Sequence, residues 1–210
     1  MEEIILLSQT LFVVLLVFLF LGNILLTISW LIWSFLRRRK VFKIISRLPK
    51  AKKLLVYAKE NKIKIETGPM TILLVINGGG WGALPQKKAV LIAKESLENA
   101  CEEEIIYSFA HELGHLDYSS EISPNERKIK DCQDYFVCIY QEWEAWIRAL
   151  KILKKLEIEI NPRNFWQEAK YCLSTYYTPT TCPMFFRNEC PMIEKIKEIE
   201  GTLKNELGVI

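Results

Sequence analysis

At 210 residues the chain has room for one membrane segment and one soluble domain of about 150 residues, and no more. Half of its residues are hydrophobic and a quarter are charged, with a formal net charge of only +3, too little to make the whole chain a polyanion binder. That balance hides an asymmetry, because the run from Arg37 to Lys53 carries nine basic residues and no acid.

From Ile4 to Leu36 there is no charged residue. A helix of that length extends about 50 Å against a hydrocarbon core of about 30 Å, so it spans a bilayer with length to spare. One long tilted helix fits best; a hairpin turning near Gly22-Asn23 is the alternative, with a short second arm. A cleaved signal peptide does not fit, since Glu2 and Glu3 precede the apolar run and the basic residues follow it. The basic cluster therefore reads as a membrane-surface flank and not as a nucleic-acid site, and the positive-inside rule puts it, with the soluble domain, on the cytoplasmic side. The expected localisation is a single-pass membrane protein.

Pro49 opens an amphipathic helix reaching about Asn61, with Leu54, Leu55 and Ala58 on its apolar face and Lys52, Lys53 and Lys59 toward water or lipid head groups. The period then changes. Ile63 and Ile65, the run Thr71 to Ile76, and Ala89 to Ile92 are β-branched and apolar, as strands require. Between the last two lies a glycine-rich loop from Asn77 to Pro85 containing Trp81. No Gly-Lys-Ser/Thr follows, so a mobile hairpin connection fits better than a phosphate loop, with Trp81 packing on the core or lining a cleft. The strand ending at Glu95, if it lies at an edge, offers backbone groups to an extended peptide.

Next comes His111-Glu112-Leu113-Gly114-His115, an HExxH pattern that contains the only two histidines of the chain. Four residues on a helix are about 40° of rotation and about 6 Å of rise, so both imidazoles point to one side and can share a metal ion. Glu112 is turned about 100° from His111. It flanks the metal instead of ligating it, the place of a general base that takes a proton from a metal-bound water. Ser96 is the candidate N-cap, Glu98 and Glu102 to Glu104 suit the N-terminal half, and Ile106, Phe109, Leu113 and Leu116 form the core stripe.

Ser123-Pro124-Asn125-Glu126 starts a second long helix running to about Leu156. On it, Glu142 shares a face with Cys138, Ile139, Ala145, Trp146 and Ala149, where a carboxylate is costly unless paired or bound to a metal. Glu144 lies about 200° away and precedes Arg148 by four residues, an ordinary exposed ion pair. Glu142 is thus preferred as third ligand, with Glu144 and then Asp134 behind it. Asn161-Pro162 caps a third helix to about Tyr177, Thr178 to Pro191 reads as a loop, and a charged helix reaches about Leu207. Of the six cysteines (Cys101, Cys132, Cys138, Cys172, Cys182, Cys190), most read as buried small apolar residues, with a pairing among the last three as the alternative.

The pair of motifs, His111-Glu112-Leu113-Gly114-His115 and Glu142-Trp143-Glu144-Ala145, resembles the gluzincin branch of zinc metallopeptidases, in layout the HtpX-like membrane-anchored peptidases or the ImmA/IrrE-like peptidases. The resemblance covers roughly residues 50 to 150 and implies Zn²⁺ held by His111, His115 and Glu142, with Glu112 catalytic. Both families place Asp or Asn after the Ala of the second motif, where this chain has Trp146. The expected fold is α+β: an N-terminal transmembrane helix followed by a small, mostly helical, zincin-like metallopeptidase domain with a short β-sheet. The expected parts are residues 1–40 as anchor with basic flank, 41–62 as juxtamembrane amphipathic helix and 63–210 as peptidase domain. The expected activity is a zinc-dependent endopeptidase acting on protein or peptide substrates, membrane proteins among them. A catalytically silent zinc-binding membrane-tethered regulator is the alternative, and a membrane anchor without metal a further one. Tyr135, Tyr140, Arg148, Tyr176 and Tyr177 are the candidates for stabilising an oxyanion.

Overall fold

The computed structural model describes residues 2–68, 80–121, 132–174 and 193–209. The chain divides into two units, 1–40 and 41–210. Helix α1 (Glu2–Arg47) runs unbroken through Gly22-Asn23, so the turn of the hairpin alternative is not there. The helical hydrogen bonds are supplemented by side chains that also stay local, Asn23 Nδ2 donating to the Leu19 carbonyl (2.8 Å) and Thr27 Oγ1 to that of Asn23 (2.8 Å). Such back-bonding is how polar groups are tolerated in an apolar helix. From Leu16 to Leu36 its large side chains are exposed all round. At the basic end Arg37 lies over Trp33 and Arg39 over Phe35. This helix is long and apolar enough to cross a membrane.

In the second unit the core collects Val41 and Ile45 from the end of α1, and Ala51, Leu54, Tyr57 and Ala58 from α2 (Pro49–Glu60). Residues 41–62 thus contribute to the same core as the rest of the second unit. The expected amphipathic helix is present, with Lys52, Lys53 and Lys59 exposed, and Lys53 also reaches across to another element. Its Nζ donates to the carbonyls of Leu156 (2.9 Å) and Glu157 (3.1 Å), and Lys50 Nζ donates to that of Glu159 (3.0 Å). Two lysines so placed satisfy orphan carbonyls beyond a helix C-terminus, where the dipole favours a cation.

Three short strands form a mixed sheet in the order β1-β3-β2. β1 (Lys64–Gly68) pairs parallel with β3 (Ala89–Ala93), Lys64 opposite Ala89, while β2 (Trp81–Leu84) pairs antiparallel, Trp81 opposite Ile92. All five residues of β3 are buried, as a central strand demands. It is therefore not the edge strand that its place before the motif suggested. The outer strand on that side is β2, cut from the glycine-rich stretch. A 3₁₀ turn (Pro85–Lys87) and Lys88 at φ 49° reverse the chain between β2 and β3. The expected strand Thr71 to Ile76, the loop residues Asn77 to Gly79 and the Ser123-Pro124 helix start lie outside the described residues.

The helices follow as α3 (Lys94–Glu98), α4 (Glu102–Glu121), α5 (Cys132–Lys155), α6 (Pro162–Ser174) and α7 (Ile193–Leu207). Asn161 caps α6 as expected, its Oδ1 accepting from the N–H groups of Arg163 (3.0 Å) and Asn164 (3.2 Å). Lys154 Nζ reaches Glu206 Oε2 at 2.7 Å, tying α5 to α7. The result is a mostly helical α+β unit.

Candidate metal centre

The helix that carries His111 and His115 does not start at Ser96. The chain breaks at Asn99 to Cys101, and Ser96 Oγ instead donates to the carbonyls of Ala93 (2.6 Å) and Gly80 (3.3 Å). α4 begins one residue beyond Cys101, whose N–H donates to Glu104 Oε2 at 2.8 Å while its carbonyl accepts from Ile105. That is the carboxylate half of a capping box, and Glu102 to Glu104 lie in the first turn, where the dipole favours acids.

Ile106, Phe109, Leu113 and Leu116 are all buried, and this stripe sets the rotation of α4. It leaves His111 and His115 facing α5. The two helices then pass closely at Gly114, where a Cβ would sit inside contact distance of the Ala145 carbonyl. The third motif residue after His111 is thus a glycine for a steric reason, and the close crossing brings Glu142 up to both imidazoles.

Three side chains converge. His111 Nε2 and His115 Nε2 are 3.1 Å apart, His111 Nε2 is 3.1 Å from Glu142 Oε2, and His115 Nε2 is 3.3 Å from Glu142 Oε1. Two ligand atoms each about 2.0–2.1 Å from a tetrahedral zinc are separated by about 3.3–3.4 Å. The residues therefore fit one small divalent cation with little movement. Two imidazole lone pairs and a carboxylate directed at one point demand a positive charge there, a proton or a metal. The His115 and Glu142 side chains keep 18% and 16% of their surface exposed, so the cluster is open to solvent on one side, as a fourth coordination position requires.

The electrostatics agree with the distances. Burial opposes ionisation of Glu142, but His115 and His111 together outweigh it and hold its carboxyl well below the usual range. Burial also opposes a charge on His115, yet the Glu142 carboxylate beside it lifts that imidazole to about 9. Glu112 is buried without joining the ligands. Burial raises its carboxyl, the two histidines pull it down, Glu142 raises it further, and the Ala83 N–H donates to it. It is therefore held beside the cluster by β2, a strand whose Trp81 packs on Phe109 of α4 with ring centroids 5.8 Å apart.

The other expected residues are elsewhere. Glu144 lies beside Arg148 Nε (3.6 Å) and accepts from the Tyr140 hydroxyl (3.4 Å), and Arg148 Nη1 binds Asp117 Oδ2 at 3.0 Å. Tyr140 and Arg148, both candidates for an oxyanion, are thus engaged by carboxylates, and the Glu144–Arg148 pair is half-buried, not exposed. Asp134, Tyr135, Cys132 and Cys138 lie on α5 where only the backbone is described, and Tyr176, Tyr177, Cys182 and Cys190 lie outside the described residues. Cys101 is exposed and therefore no core residue, and Cys172 is half-buried.

Three neighbours of the site make contacts or interactions that the sequence does not show. Trp146 stacks on His111, ring centroids 4.4 Å apart and planes 28° apart; an aromatic at helical spacing reads as plain core. On α6, Glu168 and Cys172 lie within electrostatic reach of the centre. Burial raises the Glu168 carboxyl, Glu104 adds to this and His111 lowers it. Burial pushes the Cys172 thiol up to about 12, with Glu168, Glu142 and Glu112 adding.

Set beside known proteins, the chain matches no family model, no curated protein and no solved structure.

Proposed function

We propose that this protein is a membrane-anchored, zinc-dependent endopeptidase of the gluzincin kind, with a zincin-like soluble unit at the cytoplasmic face of a single-pass anchor. One observation carries the reading: His111, His115 and Glu142 converge from two helices with the buried carboxyl of Glu112 beside them and outside the ligand set. His111, His115 and Glu142 would hold a zinc ion, which would supply Lewis acidity toward a peptide carbonyl and a water. Glu112 receives the proton of the attacking water and returns it to the leaving amine. Its link to the Ala83 N–H ties this base to β2, which lies at the sheet edge among the described residues. An extended peptide laid along that edge would run past the base, held by main-chain bonds that read no sequence. The basic flank after the apolar helix supports the cytoplasmic orientation.

The engagement of Tyr140 and Arg148 by carboxylates favours a second reading, a zinc-binding tether without turnover. One comparison separates them. The full-length protein in detergent micelles, given zinc and an unfolded protein substrate, is expected to cleave it, and Glu112→Gln to lose at least about 100-fold in rate while keeping its zinc. Zinc in both and turnover in neither selects the silent tether; no zinc in the folded wild type defeats both.

A further inference from the structure

Metal-binding histidines generally donate the ring N–H that faces away from the metal to a carboxylate or carbonyl, which fixes the plane of the ring. His111 departs from this. Its Nε2 points to His115 and Glu142, and its Nδ1 is buried with no hydrogen-bond partner among the described residues. The edge of the ring meets the His115 imidazole at 4.5 Å and 76°, and its face meets Trp146, stacked at 4.4 Å and 28°.

Resting on the metal-centre reading above, we infer that Trp146 is a positioning residue for His111, its indole face holding the imidazole plane so that Nε2 is presented to the ligand cluster. A hydrogen bond fixes a ring at one atom; a stack fixes its plane and leaves the half-turn about the Cβ–Cγ bond. Of the two orientations related by that half-turn, the contact between Nε2 and Glu142 selects one. Stack and carboxylate together define the ligand.

Trp146 is suited to the task because it is itself immobilised. It is fully buried, and the edge of Phe165 meets it at 5.2 Å and 87°. Phe165 meets Tyr107 at 5.1 Å and 78°, and the Tyr107 hydroxyl accepts from the Asn161 N–H at 3.1 Å. A chain of rings thus runs from the backbone at the start of α6, through α4, to the face of His111. Edge-to-face and offset-stacked contacts at these separations are the favourable aromatic geometries. A tryptophan that only filled volume would be replaceable by any large apolar residue, and here the flat face is the part in use.

The two histidines of the chain allow a direct test, because [¹⁵N]histidine labelling of the full-length, untagged protein in micelles gives only two imidazole spin systems. Spectra with and without zinc, and zinc affinity by chelator competition, are compared for wild type, Trp146→Phe and Trp146→Leu. The expected result is that Trp146→Leu weakens zinc binding about 10–100-fold, the usual cost of losing a group that orients a ligand. In the zinc-free spectra the His111 ring signals shift more than those of His115, whose ring meets only the edge of His111, and Trp146→Phe restores most of the affinity. Equal loss in both variants, or a Leu variant that binds zinc like wild type, overturns the inference. Should the Leu variant not fold, the zinc-free wild-type spectrum decides: an indole face at this distance places the His111 ring protons upfield of those of His115, and their absence there overturns the stack. A wild type that binds no zinc, yet shows these upfield signals, sinks the metal centre and leaves the stack standing.

Discussion

Glu142 and Glu144 are two positions apart on α5, chemically identical, and placed in opposite surroundings. Glu142 lies between two imidazoles that keep it ionised against the cost of burial, whereas Glu144 meets Tyr140 and Arg148 on another side of the helix. A half-turn of α5 separates the proposed ligand from a half-buried ion pair. Glu142→Gln removes the negative charge that gathers the histidines, and zinc content of the purified full-length protein by elemental analysis is expected to fall by more than the roughly 10–100-fold affinity change typical of an outer partner. Glu144→Gln is expected to leave zinc unchanged and to cost a few tenths of a kcal/mol, about 0.3–0.5 for a helical pair. The reverse order would transfer the ligand role to Glu144 and require a different α5 rotation from the one described.

At the scale of elements, the site exists because α4 and α5 approach more closely than most helix pairs. Gly114 permits this: the group a Cβ would strike is the Ala145 backbone carbonyl, which cannot swing aside as a side chain can. Alanine is the better helix former by about 1 kcal/mol, so propensity alone makes Gly114→Ala stabilising, yet forced overpacking costs about 1–3 kcal/mol and decides the sign. Chemical unfolding should show a net loss, with weakened zinc binding as the helices part. Gly201→Ala is the control, since a Cβ there meets nothing within 4 Å on α7, and it should gain about 0.5–1 kcal/mol. The sequence carries the motif helix, α2, β1, β3, the capped start of α6 and Glu142 itself, because each is written in local periodicity, a cap or a buried face. It does not carry β2: Trp81-Gly82-Ala83-Leu84 has two small residues and no alternation, and becomes a strand only by pairing with β3. The break at Asn99 to Cys101 is likewise hidden inside an acidic, helix-favouring run. Strand order, the target of Lys53 and the stack of Trp146 on His111 are contacts between distant residues, for which local pattern holds no information.

For the whole molecule, the decisive property is the surface of α1. Phe18, Phe20, Leu25, Leu26 and Trp30 are each more than 60% exposed, on all sides of a helix whose most apolar window has no side chain covered by the rest of the protein. Apolar surface costs about 25 cal/mol per Å² in water, so this segment is stable in a lipid or detergent environment. The proposed orientation puts the basic flank beginning at Arg37 at the cytoplasmic interface. The exposed thiol of Cys101, in the soluble unit, reports that side. A membrane-impermeant maleimide, with the labelled peptide identified by mass spectrometry, is expected to modify Cys101 in sealed inside-out vesicles and to spare it in right-side-out ones. Modification only in right-side-out vesicles would place the metal centre outside the cytoplasm and overturn the orientation that the basic flank implies, while modification in both, with the protein released by alkaline carbonate, would show that α1 does not cross the bilayer.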